Sequence, residues 1–212
     1  MKTEILRVKG SWQEVVDDCR ATVGKDELGK EPSEAFKRGI LIAEHSPIRA
    51  LIVRWKWEKI KSWVATHWVR HIWSSFVQTQ RSDRTGVKRD KLPQDAPVNF
   101  RGEANAQHLI DTWRKRLCMQ AAPETRQYAE DFKEVLYEVE PELADVLVPN
   151  CVYRCGCPEM DSECKAWQAF VDWCTEERGV VVQMTCIAER YRLYSEFFDA
   201  TRAKDGKVSS GD

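Results

Sequence analysis

Two neighbouring stretches decide the fold class: Ala50-Leu51-Ile52-Val53-Arg54-Trp55-Lys56-Trp57, and then Ser62-Trp63-Val64-Ala65-Thr66-His67-Trp68-Val69-Arg70-His71-Ile72-Trp73-Ser74-Ser75. In the first, Leu51, Val53, Trp55 and Trp57 alternate with Ile52, Arg54 and Lys56, the period of two that marks a half-buried strand. In the second, Val64, Trp68, His71 and Ser75 share one stripe and His67, Arg70 and Ser74 the next. That helical period predicts a helix over 63–75. A strand feeding a helix, in a chain where helical patterns dominate, predicts an α+β fold: helices packed with a small mixed or antiparallel sheet.

Working toward the N-terminus, Pro47 stops a helix that Ser33 caps and that runs to Ala43. Before it, 24–32 is a polar loop. Ser11-Trp12-Gln13-Glu14 has the pattern of a capping box and opens a helix to about Ala21. Thr3 to Val8 alternates as a first strand closed by Gly10. Working toward the C-terminus, Gln78 to Pro97 is polar and interrupted by Gly86, Pro93 and Pro97, which predicts a long surface loop. Asn105 to Cys118 and, after Pro123, Glu124 to Val139 read as helices. Two more are expected near 162–178 and 181–197, divided by Gly179. The polar end has no core to join, so 201–212 is expected to be a mobile tail. The chain then divides into a first unit over 1–148, a Cys-containing helical extension over 149–200, and that tail.

Composition narrows the function. Nine Trp, seven Phe and five Tyr supply a real core, which excludes disorder for most of the chain. Thirty-three Lys and Arg against 34 Asp and Glu leave a net charge of −1, so no global basic field draws nucleic acid polymers or acidic membranes. The longest apolar runs are far too short to cross a bilayer, and Met1 to Arg7 lacks a signal-peptide core. The expectation is a cytoplasmic protein in a reducing compartment, where its eight Cys are thiols or metal ligands before they are disulfides.

Two polar constellations carry the chemistry. Arg70, His71 and Ser75, followed by Gln78, Gln80, Arg81 and Arg84, make either an anion pocket for phosphate or carboxylate or a solvated helix end. Asn105, Asp111, Arg116, Gln120, Glu124 and Arg126 make either a second site wall or ordinary surface pairing along two helices.

Together the two segments resemble the flavin-dependent thymidylate synthases. The family signature R-H-R-x-x-S-x-N-E/Q-x-S-x-R-Y, preceded by H-x-S/T-P, is similar to His45-Ser46-Pro47 and then Arg70-His71-Ile72-Trp73-Ser74-Ser75-Phe76-Val77-Gln78-Thr79-Gln80-Arg81-Ser82-Asp83. A second family pattern resembles Asn105-Ala106-Gln107-His108-Leu109, Arg116 and Ala121-Ala122-Pro123-Glu124-Thr125-Arg126. Cys19-Arg20-Ala21-Thr22-Val23 resembles the family's A-R-V-S turn. The resemblance spans about residues 1–130. It implies an FAD-dependent enzyme that methylates dUMP, or a related deoxyuridine nucleotide, with methylenetetrahydrofolate and NADPH as donors. It also implies a homotetramer with sites formed between subunits.

Residue by residue, the resemblance assigns Arg116 to the uracil ring as the catalytic group. It assigns Thr22, His45, Arg70, His71, Ser75, Asn105 and Gln120 to the flavin, and His67, Arg70, Gln78, Gln80, Arg81, Arg84 and Arg116 to the nucleotide. An arginine beside a uracil carbonyl favours negative charge developing on the ring. The chain departs from the pattern at Ile72, Val77, Gln80, Ser82, Asp83, Gln107 and Ala122, and Asp83 brings the wrong charge beside a phosphate. The departures at Ile72, Val77 and Asp83 motivate one rival reading, a non-catalytic flavin- or nucleotide-binding homologue, and the Cys region motivates another, a metal-stabilised interaction protein.

The resemblance leaves Cys151, Cys155, Cys157 and Cys164 unexplained. Four thiolates suit a structural zinc, with an iron–sulfur cluster or unliganded thiols as the alternatives. Cys118, between Leu117 and Met119, reads as a core thiol. The Trp set is expected in the core or at subunit interfaces rather than as a base-stacking platform.

Overall fold

The computed structural model describes residues 2–160 and 164–208, with side chains through Arg202. β1 (Lys2–Lys9) turns through Gly10 into α1 (Trp12–Ala21). The capping box is formed: Glu14 N donates to Ser11 Oγ at 3.1 Å and Ser11 N to the Glu14 carboxylate at 2.6 Å, satisfying two orphan helix donors. Gly10 has φ +77°, and a Cβ there would fall 2.2 Å from the Ala50 carbonyl oxygen, so the turn accepts glycine alone. α2 (Glu34–Ala43) is capped by Ser33, and a 3-10 turn over Ser46–Ala50 delivers the chain to β2 (Ile52–Lys61).

Next come α3 (Ser62–Trp68), β3 (Ser74–Val77), α4 (Ser82–Thr85), β4 (Pro97–Asn105) and α5 (Ala106–Arg116). The rest is helical: α6 (Pro123–Tyr137), α7 (Pro141–Asp145), α8 (Asn150–Arg154), α9 (Ala166–Arg178) and α10 (Ile187–Val208). The α+β class expected from the sequence is the one observed. The sheet is antiparallel in the order β1-β2-β4-β3.

The sheet buries Val53, Trp55, Trp57, Phe100 and Ala104 on one face. Trp57 lies opposite Phe100, and Trp55 opposite Gly102. A Cβ on Gly102 would come within 2.1 Å of the Trp55 ring, so the missing side chain is the seat of that indole. Trp113 packs against Phe132 at 4.3 Å between centroids, and its Nε1 donates to the Ala129 carbonyl at 2.9 Å. Trp12, Trp55, Trp57, Trp68 and Trp113 are buried within this chain's own core rather than kept for a partner. Each buried side chain of this size contributes about 1.5–3 kcal/mol or more of transfer free energy. Leu143, Val148, Val152, Phe170, Tyr191 and Leu193 join the same core, so the C-terminal helices and the sheet share one apolar interior.

Five expectations are corrected. The helix read over 63–75 stops at Trp68, because Ser74–Val77 finds a sheet partner: Ser74 lies opposite Glu103 and Val77 opposite Phe100. Trp73 folds back and donates its Nε1 to the Trp68 carbonyl at 3.1 Å, closing the helix end. The loop read over Gln78–Pro97 ends at Ala96, and Pro97–Asn105 is an interior strand of the sheet rather than an approach to a helix. The tail expected from 201 is helical to Val208, and Arg202 is tied to Glu130, Asp131 and Glu134 of α6; 209–212 lie outside the described residues. α9 begins at Ala166 rather than near 162, and α10 at Ile187, after a 3-10 turn over Val182–Met184, rather than near 181. Among the described residues no helix is long and apolar enough to cross a membrane.

Candidate functional site

Helix α3 and the turn that follows it meet two sets of arginines. The end of α5 brings Arg116 to the turn that follows α3. Arg116 Nε donates to His71 Nε2 at 2.9 Å and its Nη2 donates to the His67 carbonyl at 2.8 Å. The guanidinium also lies 5.8 Å from the Trp68 ring centroid. Burial, then the charges of Arg116 and Lys115, pulls His71 down to about 4. The ring is therefore neutral at pH 7 and serves as the acceptor. His67 is lowered by burial, then by Arg116 and Arg70, and its Nδ1 sits 2.7 Å from Thr125 Oγ1.

Burial and the nearby Arg70 lower Arg116 as well, but a guanidinium stays protonated at neutral pH. No carboxylate pairs with it among the described residues. The result is a half-buried cation fixed by neutral acceptors, with donors left for a planar carbonyl or anion. His67, Arg70, His71 and Arg116, singled out separately from the sequence, thus form one cluster.

Next to this cluster, with Trp63 5.5 Å from the His67 ring, Ser62, Trp63, Thr66 and Val69 line a cavity of about 660 Å³ with Gln78, Gln80, Arg81 and Arg89. Gln78 is oriented by the Asn99 N–H, which donates to its Oε1 at 3.0 Å. Arg81 is engaged by Asp83: Nε and Nη2 reach the two carboxylate oxygens at 3.0 and 2.7 Å. Arg84, exposed, approaches the same carboxylate at 4.0 Å.

The remaining candidates are spread over other elements. Thr22 Oγ1 donates to the Cys19 carbonyl at the end of α1, and His45 is exposed just before the 3-10 turn over Ser46–Ala50. Asn105 caps α5, its Oδ1 accepting from His108 N at 2.9 Å. Ser75, on the edge strand β3, has a buried Oγ with no hydrogen-bond partner among the described residues. Gln120 is exposed in the turn after α5. No hydrogen bond or ion pair among the described residues joins Thr22, His45, Ser75 or Asn105 to the Arg116 cluster.

The cysteines are regrouped. Cys118, Cys151, Cys157 and Cys164 line one cavity of about 470 Å³, whereas Cys155 is not part of its wall and ends α8 in the left-handed region at φ 56°. All eight are free thiols, and among the described residues no three His, Cys, Asp or Glu side chains are set to hold a metal. Among the described residues Cys155 stands outside the cavity that Cys151, Cys157 and Cys164 line, so the four are not gathered as a zinc set there. Burial, then the neighbouring Cys118, pushes Cys151 up to about 12, and burial also raises Cys118. Burial thus favours the protonated thiol at both positions.

Among solved structures, flavin-dependent thymidylate synthase ThyX from Helicobacter pylori, complexed with FAD and dUMP, matches with a TM-score of 0.57 at 13% identity, over 70% of this chain and 100% of that one. A second structure of that enzyme with FAD and dUMP gives 0.57 at 14%, over 69% and 99%. The UMP/dUMP methylase PolB from Streptomyces cacaoi, bound with 5-Br dUMP, gives 0.56 at 13%, over 68% and 93%. The chain has the fold of these proteins. No protein-family model and no curated protein sequence matches it.

Two participants were not legible beforehand. Thr125, buried on α6, anchors His67 across 58 residues of sequence. Arg89 lies in a stretch read only as polar loop, and nothing in its local pattern sets it apart from Arg84 or Lys88.

Proposed function

We propose that this chain is a thymidylate synthase of the flavin-dependent type, acting on dUMP or a related deoxyuridine nucleotide. The observation that carries the reading is Arg116, a charged guanidinium aimed by a neutral histidine and a backbone carbonyl instead of being cancelled by a carboxylate. Such a group stabilises negative charge on a uracil ring at the moment it develops. The likeness of fold to dUMP-binding proteins supports it.

Arg70, His71, Ser75, Asn105 and Gln120, with Thr22 and His45, are the residues proposed to hold FAD. The unspent Ser75 Oγ and the amide N–H groups of Asn105 fit a ring rich in carbonyls and nitrogens. Bound FAD would supply the redox chemistry and mediate transfer of the one-carbon unit from methylenetetrahydrofolate, with NADPH as reductant. The protein's share is to position. Gln78 and Gln80 direct the nucleotide in the cavity beside α3, and α3 itself screens one flank of it from water. The raised thiols take no part in the reaction.

His67, Arg70, His71 and Arg116 are not part of the cavity wall, although Trp63 of that wall lies 5.5 Å from the His67 ring, so we place the complete site between copies of the chain. In that arrangement Arg116 of one subunit faces the cavity of another, as a homotetramer permits.

The test is spectroscopic and then catalytic. Protein reconstituted with FAD should show the two visible bands of oxidised flavin, elute as an oligomer, and form thymidylate from dUMP with folate and NADPH. Protein that stays colourless with excess FAD overturns the reading; a flavoprotein that binds dUMP without turnover points instead to a non-catalytic homologue, the reading that Ile72 and Val77 motivate.

A further inference from the structure

We propose that Arg89 carries the phosphate of the nucleotide, and that Asp83 is an internal counter-ion which withholds Arg81 from that task; the inference rests on the nucleotide reading above. The cavity beside α3 has two charged residues in its wall, Arg81 and Arg89, and no Asp or Glu. Their situations differ. Arg81 presents its fork to both oxygens of Asp83, the bidentate geometry in which a guanidinium otherwise takes a phosphate. The carboxylate offsets its charge and takes two of its five donors. Arg84 lies 4.0 Å from the same carboxylate, so one acid stands beside two of the three arginines in this region.

Arg89 has no ion pair and no side-chain hydrogen bond among the described residues, so its charge is left unbalanced at the cavity wall. Its backbone is nevertheless fixed. Arg89 N donates to Ser82 Oγ at 2.9 Å, and Leu92 N to the Arg89 carbonyl at 2.9 Å. Arg89 opens a 3-10 turn, Arg89–Lys91, placed against the cavity by these contacts. A volume of about 660 Å³ lies within the usual range of small-ligand sites. Trp63 offers an aromatic flank, while Gln78, Gln80 and Thr66 offer neutral polar groups. One unbalanced positive charge beside such a wall selects a monoanionic or dianionic phosphate on a planar, polar base. It does not suit the nucleoside without its phosphate.

The experiment is calorimetric titration of the full-length protein, loaded with FAD, using dUMP, deoxyuridine and inorganic phosphate as separate probes. Arg89→Gln should weaken dUMP about 10- to 100-fold, the scale of a hydrogen bond to a charged group, and leave deoxyuridine unchanged. Arg81→Gln should cost dUMP less than Arg89→Gln does. Asp83→Asn, which keeps the shape and frees Arg81, should tighten dUMP several-fold. Circular dichroism checks that each variant folds. The inference is overturned if Arg89→Gln binds dUMP like the parent protein, or if Arg81→Gln is the costlier change. If the parent binds inorganic phosphate but not dUMP, and Arg89→Gln removes that binding, Arg89 stands as an anion site and the nucleotide reading falls. If the parent binds neither, both fall.

Discussion

Arg114 and Arg116 leave the last turn of α5 two residues apart and meet opposite surroundings. The Arg114 guanidinium is paired with the Glu44 carboxylate, lies 3.4 Å from Asp111 and stacks 3.6 Å above the Tyr153 ring. It is 9% exposed and joins α5 to the end of α2 and to α8. Among the described residues Arg116 has only neutral acceptors, His71 and the His67 carbonyl. A carboxylate partner consumes an arginine's charge and makes it a structural tie. Neutral partners fix the same side chain and leave its field pointing outward.

The largest expected effect tests the tie. Arg114→Ala strips Glu44 of its buried cation and should lower stability in urea unfolding by about 3–5 kcal/mol, whereas Arg116→Ala should cost well under half of that. Equal losses would erase the distinction between the two residues. The second test concerns function. Arg116→Ala should reduce dUMP turnover about 10²- to 10³-fold, the scale of losing one preorganised donor, with the melting temperature nearly unchanged. Arg116→Lys should restore little of it, since an ammonium cannot reproduce the fork. Full rescue by lysine would mean that charge alone matters there.

The smallest effect is on pH dependence. His71 is held near 4 in the folded protein, below its ordinary value of 6.5. Between those limits the unfolded chain binds the extra proton, so the stabilising contribution is present above about pH 6.5 and is lost as pH falls toward 4. His71→Gln keeps an acceptor for Arg116 without titrating, and its unfolding free energy should fall less steeply across that window. A parallel pH profile in the two proteins would show that His71 is not the neutral acceptor.

How much of this was legible depended on whether the signal was local. The capping box at Ser11 and Glu14, the strand at Ile52–Lys61 and the grouping of His71 with Arg116 could all be read, the last only through the family resemblance. The strand Pro97–Asn105 was also written in the sequence, as Val98, Phe100, Gly102 and Ala104 on alternate positions. Its Gly102 and Ala104 weakened the apolar signal, and the prolines at 93 and 97 suggested a loop. The run 63–75 failed for the opposite reason. Its helical spacing is genuine through Trp68, but Ser74–Val77 takes its conformation from β4, a partner more than twenty residues away, and local periodicity carries no record of such a contact. Likewise, the cysteine spacing pointed to Cys155, whereas the cavity takes Cys118 from a different helix end.

The tryptophan cluster has an optical consequence. Trp73 lies 5.1 Å from Trp55, 6.0 Å from Trp68 and 5.2 Å from the His71 imidazole, measured between ring centroids. Indoles this close exchange excitation, and a charged imidazole quenches indole emission more strongly than a neutral one. The fluorescence of the untouched protein is therefore a built-in gauge of the histidine that aims Arg116, readable without a label or a substrate.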